Sequence, residues 1–282
     1  MQIAKLSLYL NKFMNNNFNV LILNDLCSYG KASLTVNIPI LSHFGIKVSP
    51  LVSVILSNHT AFESFCAFDL TEQLEKIVEE LKLRKPNFDA FYVGWVASGK
   101  QPDIVVDIIK SFNIGTILID PILGDNGKLY PSMSNDHVDA MKELIKYADI
   151  ATPNITELAI LLGKDPSIKY NEEEVKDMAI ELSKIGPKTV IVTSVSKDDN
   201  IGSLCYKNNN IITSYYPKID IMIPGTGDAF GASLLAYILK GDTIENALKK
   251  STKFIYNCVE ASIKDNDERV YGIAIEKRLN LL

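Results

Sequence analysis

The sequence predicts an α/β fold in which a mostly parallel sheet carries helices on both faces. Apolar runs of strand length alternate with amphipathic runs of helical period from residue 19 to residue 263. The chain has 282 residues, 47% of them hydrophobic, which is enough for one large domain with its own core. No repeat, proline-rich linker or low-complexity segment divides the chain. We therefore expect one domain over residues 18–282.

The predicted strands and helices follow one another in order. Strands are expected at Asn19–Asn24, Lys47–Ile55, Ala90–Gly94, Thr116–Asp120, Ile150–Thr152 and Thr189–Ser194, where the runs are short and apolar. Helices are expected at Leu34–Phe44, Thr71–Leu83, Pro102–Phe112, Asn135–Tyr147, Thr156–Leu162 and Glu172–Ile185, where the period is helical. Gly202–Tyr206 and Ile211–Tyr215 flank a polar turn and predict a hairpin. Two last helices are expected at Ala229–Leu239 and Ile244–Ile263.

Composition excludes several classes of protein. The formal net charge of −5 argues against a general nucleic-acid binder. The four cysteines include no C-x-x-C pair, which favours reduced thiols in a cytoplasmic protein over a zinc cluster or a disulfide framework. No apolar run reaches the length of a membrane span. Residues 1–17 carry a short apolar patch without a clean cleavage site, and we expect an extension that packs on the surface or frays.

The most informative segment reads IMIPGTGDAFGASLLAYILK, from residue 221 to residue 240. An apolar run ends in a turn of small residues, Gly225, Thr226 and Gly227, and a helix is predicted to open with Asp228 in its first turn. A helix N-terminus presents unpaired N–H groups, and glycine lets an oxyanion approach them. The segment suits phosphoryl transfer to an alcohol, with Asp228 as the base beside an anion hole.

The same letters also allow a structural interpretation. Asp is common in a first helical turn, and Gly-x-Gly before a helix is often only a turn. The segment is not a Walker loop, because no Gly-Lys-Ser/Thr follows. It is not a clean dinucleotide fingerprint either, because Phe230 stands where the third glycine belongs. Other parts of the chain have to decide between the two interpretations.

Polar residues that follow the predicted strands are the other candidates, because ligands of such sheets bind beyond the carboxyl ends of the strands. In chain order these residues are Asp25, Asn58, His59, Thr60, Asp120, Asp125, Asn154, Glu157, Thr193 and Ser194. Asp120 is a natural partner for Mg²⁺ or a phosphate-bound cation, and Gly124–Gly127 has the composition of a mobile flap. Structural alternatives stay open: an Asx turn at Asp25, a polar loop after residue 56, and a capping box formed by Asn154 and Glu157.

The order of the motifs narrows the choice. Along the chain run NDLCSYGKASLTVNIPILSHFG, SNHT, IDPILGDNGKLY, ATPNITEL, VIVTS and PGTGDAF. From about Asn19 to about Ser262 this succession resembles the pyridoxal (pyridoxine, pyridoxamine) kinases of the ribokinase-like superfamily. GTGD is shared by the wider superfamily, whereas SNHT with DPILGDNGKLY and the TPNxxEL pattern is typical of vitamin B6 kinases.

This resemblance implies a three-layer α/β/α ribokinase-like domain that phosphorylates the 5′-hydroxymethyl group of a B6 vitamer with ATP and Mg²⁺. It also implies a homodimer and often a monovalent cation such as K⁺. Asp228 would be the base, and Gly225, Thr226 and Gly227 would form the anion hole. The nucleotide and its metal would lie beside Asp120, Asp125, Tyr130, Asn154, Glu157, Thr193 and Ser194, with Asp120 and Glu157 nearest the metal. The vitamer would lie beside Asp25, Asn58, His59, Thr60 and Trp95.

Some positions depart from the better-known pattern of that family. Asp25 stands where many members carry a serine, and its carboxylate would make a charge-assisted bond to a pyridinium N–H. Ala61 follows SNHT where glycine is common. Lys31 and Ser33 replace residues of the usual glycine-containing loop. These departures concern the vitamer side of the site.

Three alternatives to a B6 kinase are open. Hydroxymethylpyrimidine kinases resemble this fold but usually carry Cys where this chain has Asp228. Sugar kinases usually insert a β-lid after the first strand, and the short connection from Asn24 to Leu34 leaves little room for one. A non-catalytic B6-binding protein would need no base, anion hole or metal carboxylates, and this chain has candidates for all of them.

Overall fold

The computed structural model describes residues 17–97, 99–265 and 269–282. The extension predicted at residues 1–17 lies outside the described residues, except for its last position. Among the helices of the described part, none combines the length and the apolar character needed to cross a membrane.

A nine-stranded sheet passes through the described residues. Together with a separate two-stranded hairpin, the strands in chain order are β1 (Asn19–Tyr29), β2 (Lys47–Asn58), β3 (Ala67–Asp69), β4 (Asn87–Val93), β5 (Asn113–Ile119), β6 (Gly124–Asp125), β7 (Lys128–Leu129), β8 (Ile150–Ala151), β9 (Thr189–Lys197), β10 (Asn200–Lys207) and β11 (Asn210–Pro217). The order in the sheet is β11-β10-β9-β8-β5-β4-β1-β2-β3, and β6 pairs only with β7. Neighbours from β9 to β2 are parallel, whereas β3, β10 and β11 pair antiparallel. The prediction of a mostly parallel sheet is confirmed.

Every predicted helix is present. The helices are α1 (Leu34–His43), α2 (Thr71–Arg84), α3 (Gln101–Ser111), α4 (Asn135–Leu144), α5 (Ile155–Leu161), α6 (Glu172–Ser183), α7 (Thr226–Leu239) and α8 (Ile244–Lys264). α4 is shorter than expected because residues 145–147 tighten into a 3₁₀ turn. α7 begins earlier than expected, so that Thr226, Gly227 and Asp228 form its first turn.

The helices cover the two faces of the sheet in separate groups. Side chains alternate along each strand, so Leu21 and Leu23 of β1 join one core cluster while Val20 and Ile22 join the other. The first cluster contains residues of α2 to α6, and the second contains residues of α1, α7 and α8. The molecule therefore has the three layers, helix, sheet and helix, that the sequence predicts.

The main departure from the predicted elements is at β1 and β2. The two strands were expected to end at Asn24 and Ile55, and they run on to Tyr29 and Asn58. Their pairing passes an irregularity between Asn24 and Leu26 and continues beyond the point where β4 stops pairing with β1. β3 then adds an antiparallel edge that the sequence analysis did not predict. This extension lies next to the candidate site.

The predicted hairpin after β9 is confirmed, with longer strands than expected. β10 and β11 pair from Asn200 with Pro217 to Lys207 with Asn210. The turn is therefore only Asn208 and Asn209, both with positive φ, as a two-residue turn of this kind requires.

Candidate active site

The turn that opens α7 borders open space. Gly225 caps the helix with φ 83°, a conformation that favours glycine, and a Cβ there would lie 2.6 Å from the carbonyl oxygen of Lys31. Gly227, in the first turn, is exposed, and a Cβ added to it would meet nothing within 4 Å. The unpaired N–H groups of this first turn can therefore be approached by an anion.

Asp228 lies buried beside that turn. Burial raises its pKa from 3.8 to about 7, and the carboxyl group of Asp25 raises it as well. The backbone of Ser33 and the amide of Asn24 act in the opposite direction by hydrogen bonding to the carboxylate. A carboxyl group with a pKa near neutrality suits a general base.

Asp25 lies within β1 and is 1% exposed. Because β1 continues to Tyr29, Asp25 is not in a turn that leaves the strand. The Ser33 hydroxyl and the Cys27 thiol donate hydrogen bonds to its carboxylate, and burial still raises the pKa of Asp25. Ser33 has φ 52° and ψ −128°, a backbone conformation typical of glycine. The contact of Asp25 with a substrate stays a prediction.

Two further buried carboxyl groups, those of Asp120 and Glu157, belong to the candidate site. Asp120 directly follows β5, and its pKa is well above the usual range because of burial first and the charges of Glu157 and Asp228 second. Burial also raises the pKa of Glu157, to about 7. Among the described residues, no group of three His, Cys, Asp or Glu side chains is arranged to hold a metal ion. The two carboxyl groups interact with each other through their charges, and their role in metal binding stays a prediction.

The capping box predicted at α5 is present. The Asn154 side chain accepts a 2.9 Å hydrogen bond from the backbone N–H of Glu157, whose carboxylate accepts a 2.9 Å bond from the N–H of Asn154. The same two side chains also reach the loop after β5. Glu157 accepts a 3.0 Å bond from the N–H of Leu123, and the Asn154 amide donates a 2.8 Å bond to the carbonyl oxygen of Gly124.

The stretch predicted as a flap is a small hairpin, β6–β7, with a turn at Asn126 and Gly127. Its turn is fastened to α5, because the N–H of Gly127 donates a 2.9 Å hydrogen bond to the Thr156 hydroxyl. Burial raises the pKa of Asp125. Tyr130, which follows β7, is half-buried, and its pKa is raised by burial and by the charge of Glu157. Both residues therefore lie in the electrostatic environment of the buried carboxyl groups.

Thr193 and Ser194 lie in β9. Thr193 forms an isolated β-bridge with Asn154, and its N–H donates a 2.9 Å hydrogen bond to the carbonyl oxygen of Pro153. Ser194 is exposed and has φ 59°. The structure therefore places this pair next to the start of α5.

The SNHT motif begins at the end of β2. Asn58 ends β2, and its amide donates a 2.7 Å bond to the carbonyl oxygen of Ser64, which holds the following loop. His59 is buried against Phe62, and burial lowers its pKa, so the imidazole is neutral at pH 7. A Cβ on Gly30 would lie 2.6 Å from the His59 ring, which shows how closely the motif packs on β1. Thr60 follows His59 and is half-buried.

Trp95 packs in the core through its side chain and contacts the site through its backbone. Its side chain packs in an apolar cluster with Cys27, Val54 and Leu56. Its backbone N–H donates a 2.9 Å hydrogen bond to the Asn24 side chain, which contacts Asp228. The indole N–H is buried and finds no acceptor among the described residues.

The structure brings to the site four residues that were not proposed from the sequence: Asn24, Ser33, Asn37 and Tyr92. Asn24 and Asn37 are fully buried and hydrogen-bond to Asp228, and Tyr92 donates to Asp120. A signal for Asn37 was present in the sequence, since a polar residue stands on the buried face of an apolar helix. Only the long-range packing of β1, α1 and α7 shows what these groups contact.

A family model described as phosphomethylpyrimidine kinase matches residues 43–271 of the chain. A pyridoxal kinase of Dictyostelium discoideum is 32% identical over 259 residues, which cover 82% of this chain and 84% of that protein. A hydroxymethylpyrimidine/phosphomethylpyrimidine kinase of Aquifex aeolicus is 26% identical and covers 83% of this chain and 91% of its own length.

Among solved structures, a Bacteroides thetaiotaomicron protein assigned as a phosphomethylpyrimidine kinase, in a crystal form with pyridoxal, is 38% identical. It superposes with a TM-score of 0.90 over 94% of this chain and 95% of its own. The match to the family model covers the SNHT motif, the acidic strand ends and the GTGD turn. The chain therefore belongs to the phosphomethylpyrimidine kinase family, within the ribokinase-like fold of the pyridoxal kinases.

Proposed function

We propose that this protein transfers the γ-phosphoryl group of ATP to the 5′-hydroxymethyl group of a B6 vitamer, with Asp228 as the base. One observation carries the proposal. The Asp228 carboxyl group, with its pKa raised to about 7, lies in the first turn of α7, where the N–H groups border open space. A base next to an anion hole is what phosphoryl transfer to an alcohol requires.

Each part of this turn has its own task in the proposal. Asp228 accepts the hydroxyl proton, because a carboxyl group whose pKa is raised to about 7 is a stronger base than an ordinary aspartate and still ionises near neutrality. Gly227 carries no side chain, so the phosphoryl oxygens can reach the backbone N–H groups of the turn. The positive end of the helix dipole then favours the negative charge that develops there.

The carboxyl groups of Asp120 and Glu157 fit a magnesium–nucleotide complex. Mg²⁺ in nucleotide sites is usually held by one or two carboxylates together with phosphates, and it neutralises the charge on the transferring group. The mutual repulsion that raises the pKa of Asp120 would be relieved by a bound cation. The β-bridge between Asn154 and Thr193 lies at the start of α5, next to Glu157, and supports a nucleotide on this side of the site. The monovalent cation and the homodimer stay predictions from the resemblance, and the cytoplasmic location stays a prediction from the cysteines.

The other end of the site suits an aromatic ring. Trp95 and its apolar neighbours offer a wall, and the buried indole N–H offers a donor to a ligand. Asp25 would face a ring N–H, with His59 and Thr60 on the same side. The names of the Dictyostelium discoideum relative and of the Bacteroides thetaiotaomicron protein in its crystal form with pyridoxal support a B6 vitamer as the substrate.

The second candidate is phosphorylation of a hydroxymethylpyrimidine. The name of the family model and the Aquifex aeolicus relative favour it. Both substrates are flat heteroaromatic rings that carry a hydroxymethyl arm, so the anion hole serves either. The difference lies in the contacts to the ring, where Asp25 and the SNHT motif would act.

A coupled kinase assay over pyridoxal, pyridoxine, pyridoxamine, a hydroxymethylpyrimidine and a few sugars tests the proposal. We expect turnover with at least one B6 vitamer and its loss in Asp228→Asn, while the exposed Asp139→Asn on α4 keeps wild-type turnover. Preference for the pyrimidine would select the second candidate. Binding of pyridoxal in calorimetry without ATP consumption would indicate a non-catalytic B6-binding protein and overturn the proposal.

A further inference from the structure

One side chain joins β1, the segment after β4, and α7 at the candidate base. The Asn24 amide is fully buried and makes four hydrogen bonds. Its oxygen accepts bonds from the backbone N–H groups of Trp95, at 2.9 Å, and Asp25, at 3.1 Å. Its nitrogen donates to the Asn37 side-chain oxygen, at 3.1 Å, and to Oδ1 of Asp228, at 3.2 Å.

These partners determine which way the Asn24 amide points. Backbone N–H groups can only donate, so the two that reach Asn24 must meet its oxygen. The amide nitrogen is thereby turned towards Asp228. Gly94 contributes the space, because a Cβ there would lie 2.5 Å from the Asn24 side chain.

We infer that Asn24 is a positioning residue that holds Oδ1 of the Asp228 carboxylate and so orients this carboxylate towards the substrate hydroxyl. The inference rests on the function proposed above and deepens it. A carboxylate held through one oxygen keeps a fixed orientation, which matters because proton transfer needs hydrogen-bond distance and alignment. The donated bond also favours the ionised form of the base.

The charges around Asp228 explain why this donor matters. The titratable groups that interact with it are Asp25, Cys27, Tyr92, Asp120 and Tyr130. These five side chains are neutral when protonated and negative when ionised. None of them carries a positive charge that would stabilise the ionised carboxylate of Asp228. The groups that lower the pKa of Asp228 by hydrogen bonding are the Asn24 amide and the backbones of Ser33 and of Asp228 itself. Loss of the Asn24 amide would therefore make the base harder to ionise.

Asn24→Leu and the isosteric Asn24→Asp test the inference, with Gln101→Leu as the matched control. The Gln101 amide is equally buried, but it hydrogen-bonds to Ala97, Ser53 and Thr71 rather than to Asp228. We expect the acid limb of the kcat/KM profile to move to higher pH in both Asn24 variants and to stay in place in Gln101→Leu. kcat should fall about tenfold or more while KM for ATP changes by less than about threefold. A purely structural role predicts lower thermal stability in all three variants and no shift of the profile, which would overturn the inference.

Protonation of Asp228 can also be read without turnover. In ¹³C-Asp-labelled protein, the carboxyl signal that disappears in Asp228→Asn reports its titration. We expect this signal to titrate at higher pH in Asn24→Leu and Asn24→Asp than in wild type. Equal titration in the three proteins would contradict the inference. Absence of kinase activity with unequal titration would contradict the proposed function and leave the role of Asn24 standing.

Discussion

The Tyr92 hydroxyl donates a 2.8 Å hydrogen bond to the carboxylate of Asp120 inside the molecule. Tyr92 lies near the end of β4, and Asp120 directly follows β5, which pairs with β4 in parallel. The tyrosine is fully buried, and Gly231 of α7 makes room for it, since a Cβ there would lie 2.7 Å from the hydroxyl oxygen. α7 therefore supplies both Asp228 and the space that Asp120's partner needs.

Tyr92→Phe removes that donor and should weaken the nucleotide side of the site. The bond lowers the pKa of a carboxyl group whose burial raises it, so its loss favours the protonated form of Asp120. We expect a higher KM for the magnesium–nucleotide complex with little change in KM for the vitamer. Loss of the buried donor should also cost about 1–3 kcal/mol of unfolding free energy, measured in urea. The half-exposed Tyr147→Phe is the control, and equal nucleotide KM values in the two variants would refute this role.

Two alanine substitutions in α7 should have opposite effects on stability. In Gly231→Ala the new Cβ meets the Tyr92 ring and hydroxyl, and overpacking of this kind costs about 1–3 kcal/mol. In Gly227→Ala the Cβ enters open space, and alanine in a helix is favoured over glycine by about 0.5–1 kcal/mol. Thermal unfolding should show a lower Tm for the first variant and an equal or higher Tm for the second.

Gly227→Ala tests the role of the anion hole in catalysis without destabilising the fold. Its methyl group would occupy the space through which a phosphoryl group reaches the turn. We expect kcat to fall in a variant that is as stable as wild type. Wild-type kcat in Gly227→Ala would show that the phosphoryl group does not approach this turn.

Much of the fold was predictable because it depends on local patterns. The alternation of strand and helix, the capping box at Asn154 and the first-turn position of Asp228 are all properties of neighbouring residues. The extension of β1 and β2 was missed because it carries polar residues such as Asp25, Ser28 and Asn58 in place of an apolar alternation. Its strand conformation depends on pairing between segments that are far apart in sequence.

The site was predictable residue by residue but not as a network. The acidic residues at the strand ends were proposed individually, and the structure brings Asp25, Asp120, Glu157 and Asp228 into one electrostatic group. Asn24 and Tyr92 were missed because their role depends on contacts across the chain, with separations of 204 and 28 residues. Contacts between residues so far apart in the chain produce no recognisable spacing in the sequence.

Activity and stability should change in opposite directions with pH. The pKa values of Asp228 and Glu157 are raised to about 7 from 3.8 and 4.5. A raised carboxyl pKa means that the folded state holds its proton more tightly than the unfolded chain, so stability falls as pH rises from about 4 to about 7. The ionised base is required for proton transfer, so kcat/KM should fall below about pH 7.

Asp228→Asn tests both trends. The variant should lose activity at every pH and gain stability relative to wild type at pH 8, because it no longer buries that carboxylate. The gain should shrink as the pH falls towards about 4 and vanish at about pH 3, where Asp228 is protonated in both states. Urea unfolding at several pH values measures the difference. A constant difference between pH 4 and pH 8 would show that the pKa of Asp228 is not raised by folding.

Two asparagines at the starts of helices allow the last prediction to separate stability from function. Asn154 heads α5 and Asn171 heads α6, and each forms a capping box with a glutamate three residues later. Replacement of a capping asparagine by alanine costs about 1 kcal/mol. Both Asn154→Ala and Asn171→Ala should therefore lower the unfolding free energy, and the more buried Asn154 should cost somewhat more.

Activity should distinguish the same two variants. The Asn171 box is exposed and contacts no residue of the candidate site. The Asn154 amide also donates to Gly124 and so fastens the β6–β7 hairpin above Glu157. We expect Asn171→Ala to keep wild-type kinetics and Asn154→Ala to raise KM for the magnesium–nucleotide complex. If the two variants lose stability and keep identical kinetics, then the hairpin is held by Thr156 and Glu157 alone, and the Asn154 amide acts only as a helix cap.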